Sequence, residues 1–509
     1  MSKFYLTTSA PYVNAKPHLG HFMEFVEADV IARYHRIKGD EVCFLSSTDE
    51  NGSKMYHTAQ KLGGNPQQIC DENSAYFRET KDALDISMDK TIRTTDPRHQ
   101  QAVQKLWLKF VEKGDIEKSK YEGLYCEGCE AFITEKDLVD GKCPEHQREP
   151  QFISEENYFF KLSRYSEQLQ KLIQNDTIQI IPAFRKNEIL NVIKSGLQDV
   201  CFSRPKASLP WGVDVPNDPD YVIYVWCDAL INYLSGIGYG WDETEFQKWW
   251  PADLHVIGKG ISRFHALVWP AMLLSADLPL FKQLFVHGYV TLDGQKMSKS
   301  LGNVVDPYEL LKKYGSDATR FYLTFETPLG EDIDFTWDRM DKLYHSELVN
   351  NLGNFFNRVL SISEKYYGEN IPEFNSQTTD PSIQKLVAGV WDKWEKYLEA
   401  YDFKRALEAA WELLNFSNKY INEKKPWGAN REAQADLPGV IYNLLELARF
   451  IVILIRPFLP RTYDKVDKQI PIDLSVGYNE LKKWGGLKSG RKIKRGEFLF
   501  EKKSQVGGK

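Results

Sequence analysis

The sequence predicts an α/β protein: a parallel sheet with covering helices, interrupted by a small metal-bearing insert and followed by an all-helical region. Three observations predict it. Strand-like, helical and strand-like runs follow one another within the first fifty residues, the βαβ unit of a parallel sheet. Two pairs of metal-ligand residues between Cys126 and His146 have the spacing of a zinc knuckle. Beyond about Asp341 strand-like runs become few and long helical periods take over.

The first unit is built from Phe4–Thr8, a short strand, and Phe22–Lys38, which holds no Pro or Gly and places Phe22, Phe25, Val26, Val30, Ile31 and Tyr34 at helical spacing. Glu41–Ser47 is the second strand and runs out into Thr48-Asp49-Glu50-Asn51-Gly52. Ligands of parallel sheets bind beyond the carboxyl ends of the strands, so Thr8 to Tyr12 and Asp49 are expected side by side at one mouth. Asp49 either holds the α-ammonium of an amino acid there or begins the next turn. His18-Leu19-Gly20-His21 falls at the strand-to-helix turn, where unpaired N–H groups and a partial positive charge favour an anion. Two readings stand: a triphosphate site, or one histidine capping the helix while the other packs.

Far downstream, Gly294-Gln-Lys296-Met-Ser-Lys299-Ser-Leu-Gly302-Asn303 is a glycine-bounded loop with two lysines three apart. It either closes over phosphate oxygens, neutralising charge on a leaving pyrophosphate, or is a solvated basic loop. The pair His18-Leu19-Gly20-His21 and Lys296-Met297-Ser298-Lys299-Ser300 resembles the paired signatures of the class I aminoacyl-tRNA synthetases. Within that class the chain is similar to the methionyl-tRNA synthetase family, from about Lys3 to about Arg461.

The resemblance implies a Rossmann-like catalytic domain in two halves, 1–115 and 221–285, separated by a connective insert at 116–220. It also implies a KMSKS loop and stem-contact region at 286–341, a helical anticodon-binding bundle at 342–480 and a basic extension at 481–509. The implied activity is ATP-dependent activation of L-methionine to its adenylate, then transfer to tRNA, initiator and elongator alike, with Mg2+ accompanying ATP. His18, Gly20, His21, Lys296 and Lys299 are the implied ATP ligands, and the two histidines and two lysines the catalytic groups. Ser9, Ala10, Tyr12, Asp49, Trp226, Ala229, Leu230, Tyr233, Ile261, Phe264 and His265 are the implied methionine-side residues.

Trp226, Ala229 and Tyr233 are spaced for one helical face, which is ordinarily core. As a pocket wall, aromatic rings suit a polarizable thioether. His265 either donates to the sulfur or is a satisfied buried histidine. Two departures stand out: relatives commonly have His where this chain has Asn51, and Gly-Lys-Asp-Ile where it has Gly258-Lys259-Gly260-Ile261. Small differences also occur at Ser9 and Ala10.

Cys126, Cys129, Cys143 and His146 have the spacing of a closed tetrahedral Cys3His zinc site, with Gly128 and Pro144 where the backbone must bend. A site without an open position holds shape and performs no chemistry. The insert is too short for the large editing domain of the leucyl, isoleucyl and valyl enzymes. In the bundle, Asn350, Asn354 and Arg358 stand at four-residue steps, and Pro426-Trp427 follows two lysines. Amides that bond bases and a ring that stacks them are the means by which single-stranded RNA loops are read. The family match implies an anticodon contact there.

Seven cysteines scattered over 509 residues do not make a disulfide framework, and a reducing cytoplasm is expected. A net charge of −6 excludes indiscriminate nucleic-acid binding, although ten Lys or Arg against two Glu follow position 481. No apolar run is long enough to suggest a membrane span: Phe450–Ile455 is short and is closed by Arg456-Pro457. The start enters a strand with only Lys3 ahead, so no signal peptide is expected. No appended barrel is apparent, and a monomer is expected. Two rival readings are a cytidylyltransferase, which has no use for the insert or bundle, and a tRNA-binding protein that no longer catalyses, against which both histidines and both lysines argue.

Overall fold

The computed structural model describes residues 2–126, 131–133, 135, 138–144, 147–292, 294–296, 305–374, 380–427 and 437–503. Strand β1 (Lys3–Thr8), helix α1 (Leu19–Lys38) and strand β2 (Glu41–Thr48) form the predicted βαβ unit, with β1 and β2 parallel from Lys3–Glu41 to Thr7–Leu45. Gly39 at φ +92° ends α1 in the left-handed conformation, which lets β2 start two residues later. Strands β3 (Lys90–Arg93), β7 (Gln179–Ile181), β11 (Leu254–Gly258) and β12 (Gln283–His287) complete a six-stranded sheet. Its order is β3-β2-β1-β11-β12-β7, with every pairing parallel. The order reverses at β1 and β11, so the ends of these strands open a crevice.

The stretch between the two halves contributes β4 (Ile116–Cys126), β5 (Ala131–Ile133), β6 (Gln151–Phe160) and β8 (Val200–Cys201) to an antiparallel sheet of its own. It also contributes β7 to the main sheet. Only three residues long, β7 pairs Gln179–Ile181 with Gln283–Phe285 and has no strand pattern that local sequence would reveal. The run at Tyr221 is likewise short: β10 (Tyr221–Ile223) pairs with β9 (Ser203–Pro205), and a helix starts at Val225. Val286 to Leu292 is expected as one strand but breaks into β12 and β13 (Val290–Leu292). At the break the backbone passes so close to Glu331 that a Cβ on Gly288 would lie 2.0 Å from its carbonyl oxygen, so glycine is needed there.

Helix α1 is buried nearly all round, including Glu24, Glu27 and Asp29. It lies between the sheet and the helix Ser316–Phe325. There Arg320, fully buried, ion-pairs with Asp29 at 2.7 Å and donates to the carbonyls of Phe458 and Pro457, both at 2.8 Å. One side chain thus joins α1 to the turn that closes the bundle's last long helix. A buried arginine is stable only when its donors are satisfied in this way.

The region beyond Asp341 is helical, as expected: a continuous helical rod over 337–367, then Pro381–Glu399, Phe403–Lys424 and Leu437–Ile455. One expectation needs correction, and one charged segment packs where its composition suggests solvent. Leu437–Ile455 is long and apolar enough, by length and composition, to cross a bilayer, yet it is almost wholly buried inside the bundle. Glu446 and Arg449 interrupt the apolar run in the sequence, and in the fold they are buried as a pair at 2.7 Å. The basic extension, in turn, is not a solvated tail. Glu446 accepts N–H bonds from Gly485 and Gly486, and Arg449 donates to the carbonyls of Leu481 and Lys483. Leu487, Ile493 and Leu499 are buried as the chain returns along the rod.

Candidate active site

His18 is the N-cap of α1, and its Nδ1 accepts the Gly20 N–H at 3.1 Å. His21 reaches back so that its own Nδ1 accepts the His18 N–H at 3.2 Å, a reciprocal capping box made of imidazoles. The two rings stack with centroids 3.8 Å apart. Since each Nδ1 is an acceptor, each neutral ring carries its proton on Nε2 and presents an N–H donor. Capping and anion binding are therefore compatible: the cap fixes the tautomer that a phosphate would use. Burial, followed by the charges of His18 and His287, pushes His21 well below the usual imidazole value, so it stays neutral. A Cβ on Gly20 would lie 3.0 Å from the His18 ring, so glycine spares the stacked pair a shift of a few tenths of an ångström.

Behind this turn lies a charged group that sequence reasoning missed. Ser9 donates through N–H and hydroxyl to Glu24 Oε1, at 2.8 and 2.6 Å, and Glu24 Oε2 meets His287 Nε2 at 2.9 Å. His287 Nδ1 faces the Gly288 carbonyl at 2.7 Å, so both ring nitrogens meet acceptors and the ring is an imidazolium. Burial alone would lower its pKa; the Glu24 hydrogen bond and the charges of Glu27 and Glu24 outweigh it and lift it to about 9. Burial raises Glu27 to about 7 against the opposing pull of His287. The only sequence signal was a pair of acids on the otherwise apolar face of α1.

Tyr12 and Asp49 pair as an isolated parallel bridge, with the Asp49 N–H on the Pro11 carbonyl at 2.9 Å, so the predicted neighbours stand together at the mouth. Ala10 is half-buried beside them. Asn51 turns away into the protein. It donates to Asp228 at 2.7 Å, and Asp228 meets His99 at 2.9 Å in a fully buried polar chain.

On the opposite side Trp226 stacks on Phe264, 4.0 Å between centroids and 6° between planes. Ala229, Leu230 and Tyr233 are buried beneath, and Ile261 is half-buried at the edge. His265 is a satisfied histidine. Its Nδ1–H donates to the Ile261 carbonyl at 3.0 Å, which leaves Nε2 to accept the Tyr233 hydroxyl at 2.7 Å. Burial drives its pKa down to about 4. With both nitrogens engaged it has no proton for a sulfur; it holds Tyr233 and the Ile261 turn in place.

Lys296 sits in β14 (Gln295–Lys296), paired with Thr291 of β13 in a tight hairpin. The hairpin is rooted by Asp334, which accepts from the Thr291 hydroxyl and the Gly294 N–H, each at 2.8 Å. Lys299 lies outside the described residues, as do Cys129 and His146. Of the proposed zinc ligands, Cys126 ends β4 and Cys143 follows the turn at Val139–Lys142, both buried thiols. No cluster of three metal-ligating groups occurs among the described residues. In the bundle, Asn350 and Asn354 are exposed on the long rod, while Arg358 donates to Asn422 at 2.6 Å. Pro426 is buried, and Trp427, five residues beyond Asn422, is 48% exposed.

The family model for class I tRNA synthetases (M) matches residues 4–152 and 146–360, and that for the anticodon binding domain of methionyl tRNA ligase matches 374–506. The chain belongs to the methionyl-tRNA synthetase family. It is 41% identical over 506 residues to a methionine–tRNA ligase of Thermotoga maritima, covering 98% of this chain and 80% of that one. Its identity to the Bacillus subtilis ligase is 39%, over 98% and 77% of the two chains. Its fold matches Mycobacterium tuberculosis methionyl-tRNA synthetase, solved with methionyl-adenylate, at a TM-score of 0.93 and 35% identity, over 99% and 100% of the two chains. The synthetase match extends past position 481, in accord with the packed tail.

Proposed function

We infer that this chain is a methionine–tRNA ligase: it activates L-methionine with ATP to methionyl-adenylate, releases diphosphate, and transfers the methionyl group to tRNA. The observation that carries the assignment of roles is the two-sided mouth at the strand ends, with imidazole N–H donors on one side and a closed aromatic wall on the other. Family membership across the chain supports the same reading.

Methionine lies with its side chain against Trp226, Ala229, Leu230, Tyr233, Ile261 and Phe264, its ammonium toward Asp49 and Tyr12. Its carboxylate attacks the α-phosphorus in line. Such a transfer needs positioning and charge stabilisation more than covalent help. His18 and His21 supply Nε2–H donors at the helix N-terminus, and the loop lysines Lys296 and Lys299 neutralise the departing diphosphate. Mg2+ accompanies ATP and spreads the charge of its phosphates. A ribose hydroxyl of the terminal adenosine of tRNA then displaces AMP. Asn350, Asn354, Arg358, Pro426 and Trp427 form the anticodon contact.

Cys126, Cys129, Cys143 and His146 would hold one structural Zn2+. Two buried thiols, at the end of β4 and at Cys143, suit that donor set, and zinc would contribute roughly 10 to 16 kcal/mol to folding of the insert. Cys126→Ser should abolish zinc in elemental analysis, and an unchanged metal content would refute the ligand set. The test of the activity is amino-acid-dependent exchange of labelled diphosphate into ATP, run across the twenty amino acids without tRNA. Exchange with methionine alone is the expected result; exchange with another amino acid would overturn the pocket assignment.

A further inference from the structure

Between Asp49 and Asn51 stands Glu50, a carboxylate buried completely beside the mouth. Its Oε1 accepts from Arg93 Nε at 2.6 Å, from the Thr48 hydroxyl at 2.8 Å and from the Ser74 hydroxyl, and its Oε2 accepts from the Thr95 hydroxyl. The Glu50 N–H donates to the Thr94 hydroxyl oxygen at 2.9 Å, and its carbonyl accepts the Trp211 indole N–H at 2.7 Å. One residue thus gathers the end of β2, the helix Pro66–Leu84, the end of β3 and the stretch that returns from the insert.

A buried carboxylate is tolerated only when its acceptor positions are filled, and here four donors converge on two oxygens. The chemistry of the group matters as much as its shape. A carboxylate is an acceptor throughout and satisfies all four donors at once, whereas an amide of the same outline turns a donor toward one of them.

What this ring of donors holds still is the neighbouring residue. The Asp49 N–H donates to the Pro11 carbonyl at 2.9 Å and its carbonyl accepts the Val13 N–H at 3.3 Å, which bonds the Asp49 backbone to the segment carrying Tyr12. On its other flank the chain passes directly into Glu50, fixed through backbone and side chain alike. Asp49 therefore stands at the mouth on a backbone secured from both sides, and it loses little freedom when a ligand arrives.

We propose that Glu50 is a positioning residue for amino-acid binding: through Asp49 it sets the place of the carboxylate that receives the α-ammonium of the substrate, and it leaves the nucleotide side unaffected. The proposal rests on the ligase reading, in which Asp49 faces that ammonium.

The test compares two ligands by calorimetry: L-methioninol, which keeps the ammonium and lacks the carboxylate, and the des-amino acid, which keeps thioether and carboxylate and lacks the ammonium. Glu50→Gln, first shown to be folded by thermal melting, should weaken methioninol about tenfold, the worth of one hydrogen bond to a charged group. Binding of the des-amino acid and of a non-hydrolysable ATP analogue should stay within about twofold. Thr95→Val takes one donor from the ring and keeps the carboxylate; it should act in the same direction by about threefold, and it decides the matter if Glu50→Gln does not fold. In an Asp49→Asn background Glu50→Gln should add less than about twofold, because its effect runs through the Asp49 carboxylate. Equal weakening of both ligands by a folded variant, or an undiminished Glu50→Gln penalty in the Asp49→Asn background, would overturn the proposal and leave Glu50 a support of the fold. If Asp49→Asn itself weakens methioninol no more than the des-amino acid, the ammonium role given to Asp49 in the ligase reading fails instead.

Discussion

The two sides of the cleft each contain a buried histidine, and the two are in opposite charge states. On the nucleotide side His287 meets a carboxylate and a carbonyl and is held protonated, near 9. On the aromatic side His265 meets a carbonyl and a hydroxyl and is held neutral, near 4. Burial lowers both. The difference is the chemistry of the second partner: a carboxylate stabilises an imidazolium, whereas a tyrosine hydroxyl can donate to the lone pair of a neutral ring. One side of the mouth is thereby charged and rigid, suited to phosphates, and the other is neutral and apolar, suited to a thioether.

The largest test of this contrast removes charge from the nucleotide side. Lys299→Ala should slow adenylate formation by about two to three orders of magnitude while leaving the fold intact, as loss of a group stabilising developing charge does. Near-normal exchange would remove this lysine from the mechanism. Glu24→Gln comes next, at about 2 to 3 kcal/mol of stability, because it strips the carboxylate from a buried imidazolium. Its signature is in the pH dependence. A histidine raised from 6.5 to about 9 adds stability that is complete below 6.5 and disappears as pH rises through about 9. The alkaline slope of the melting temperature should flatten in Glu24→Gln, and a slope equal to that of the unaltered protein would break the comparison.

Trp427→Ala moves to the bundle and should cost about 1 to 3 kcal/mol in tRNA charging, the worth of one stacked base, with diphosphate exchange unchanged. Equal loss of both would mean that the ring supports the fold rather than reading RNA. The smallest effect is on the neutral side. Tyr233→Phe removes the donor to His265 and should cost about 1 kcal/mol, seen as a several-fold rise in the KM for methionine with the KM for ATP unaltered. With that donor gone the neutral ring is less favoured, so the acid-side stability loss, expected as pH falls from 6.5 toward about 4, should become smaller and end at a higher pH.

Much of the site was legible before any tertiary contact was known. The βαβ unit and the His18–His21 turn are local in sequence, because a helix N-terminus is made by consecutive residues. Tyr12 beside Asp49 followed from parallel pairing alone. What escaped were partnerships between distant elements: Ser9 with Glu24 and His287, and Asn51 with Asp228 and His99. The departure at Asn51 looked like a change in the pocket because its partner, Asp228, lies 177 positions away.

The sequence by itself supplied the inventory of chemical groups, since these are residue types at short, regular spacings, and through its resemblance to a family it pointed to the reaction class. Tertiary structure decided the charge on each histidine, the place of β7 in the sheet, the burial of an apolar helix and the return of the basic tail. Glu24 and His287 are separated by 263 positions and meet at 2.9 Å. A proton on a buried ring is set by whichever groups the fold brings within hydrogen-bond reach, and no local pattern encodes that contact.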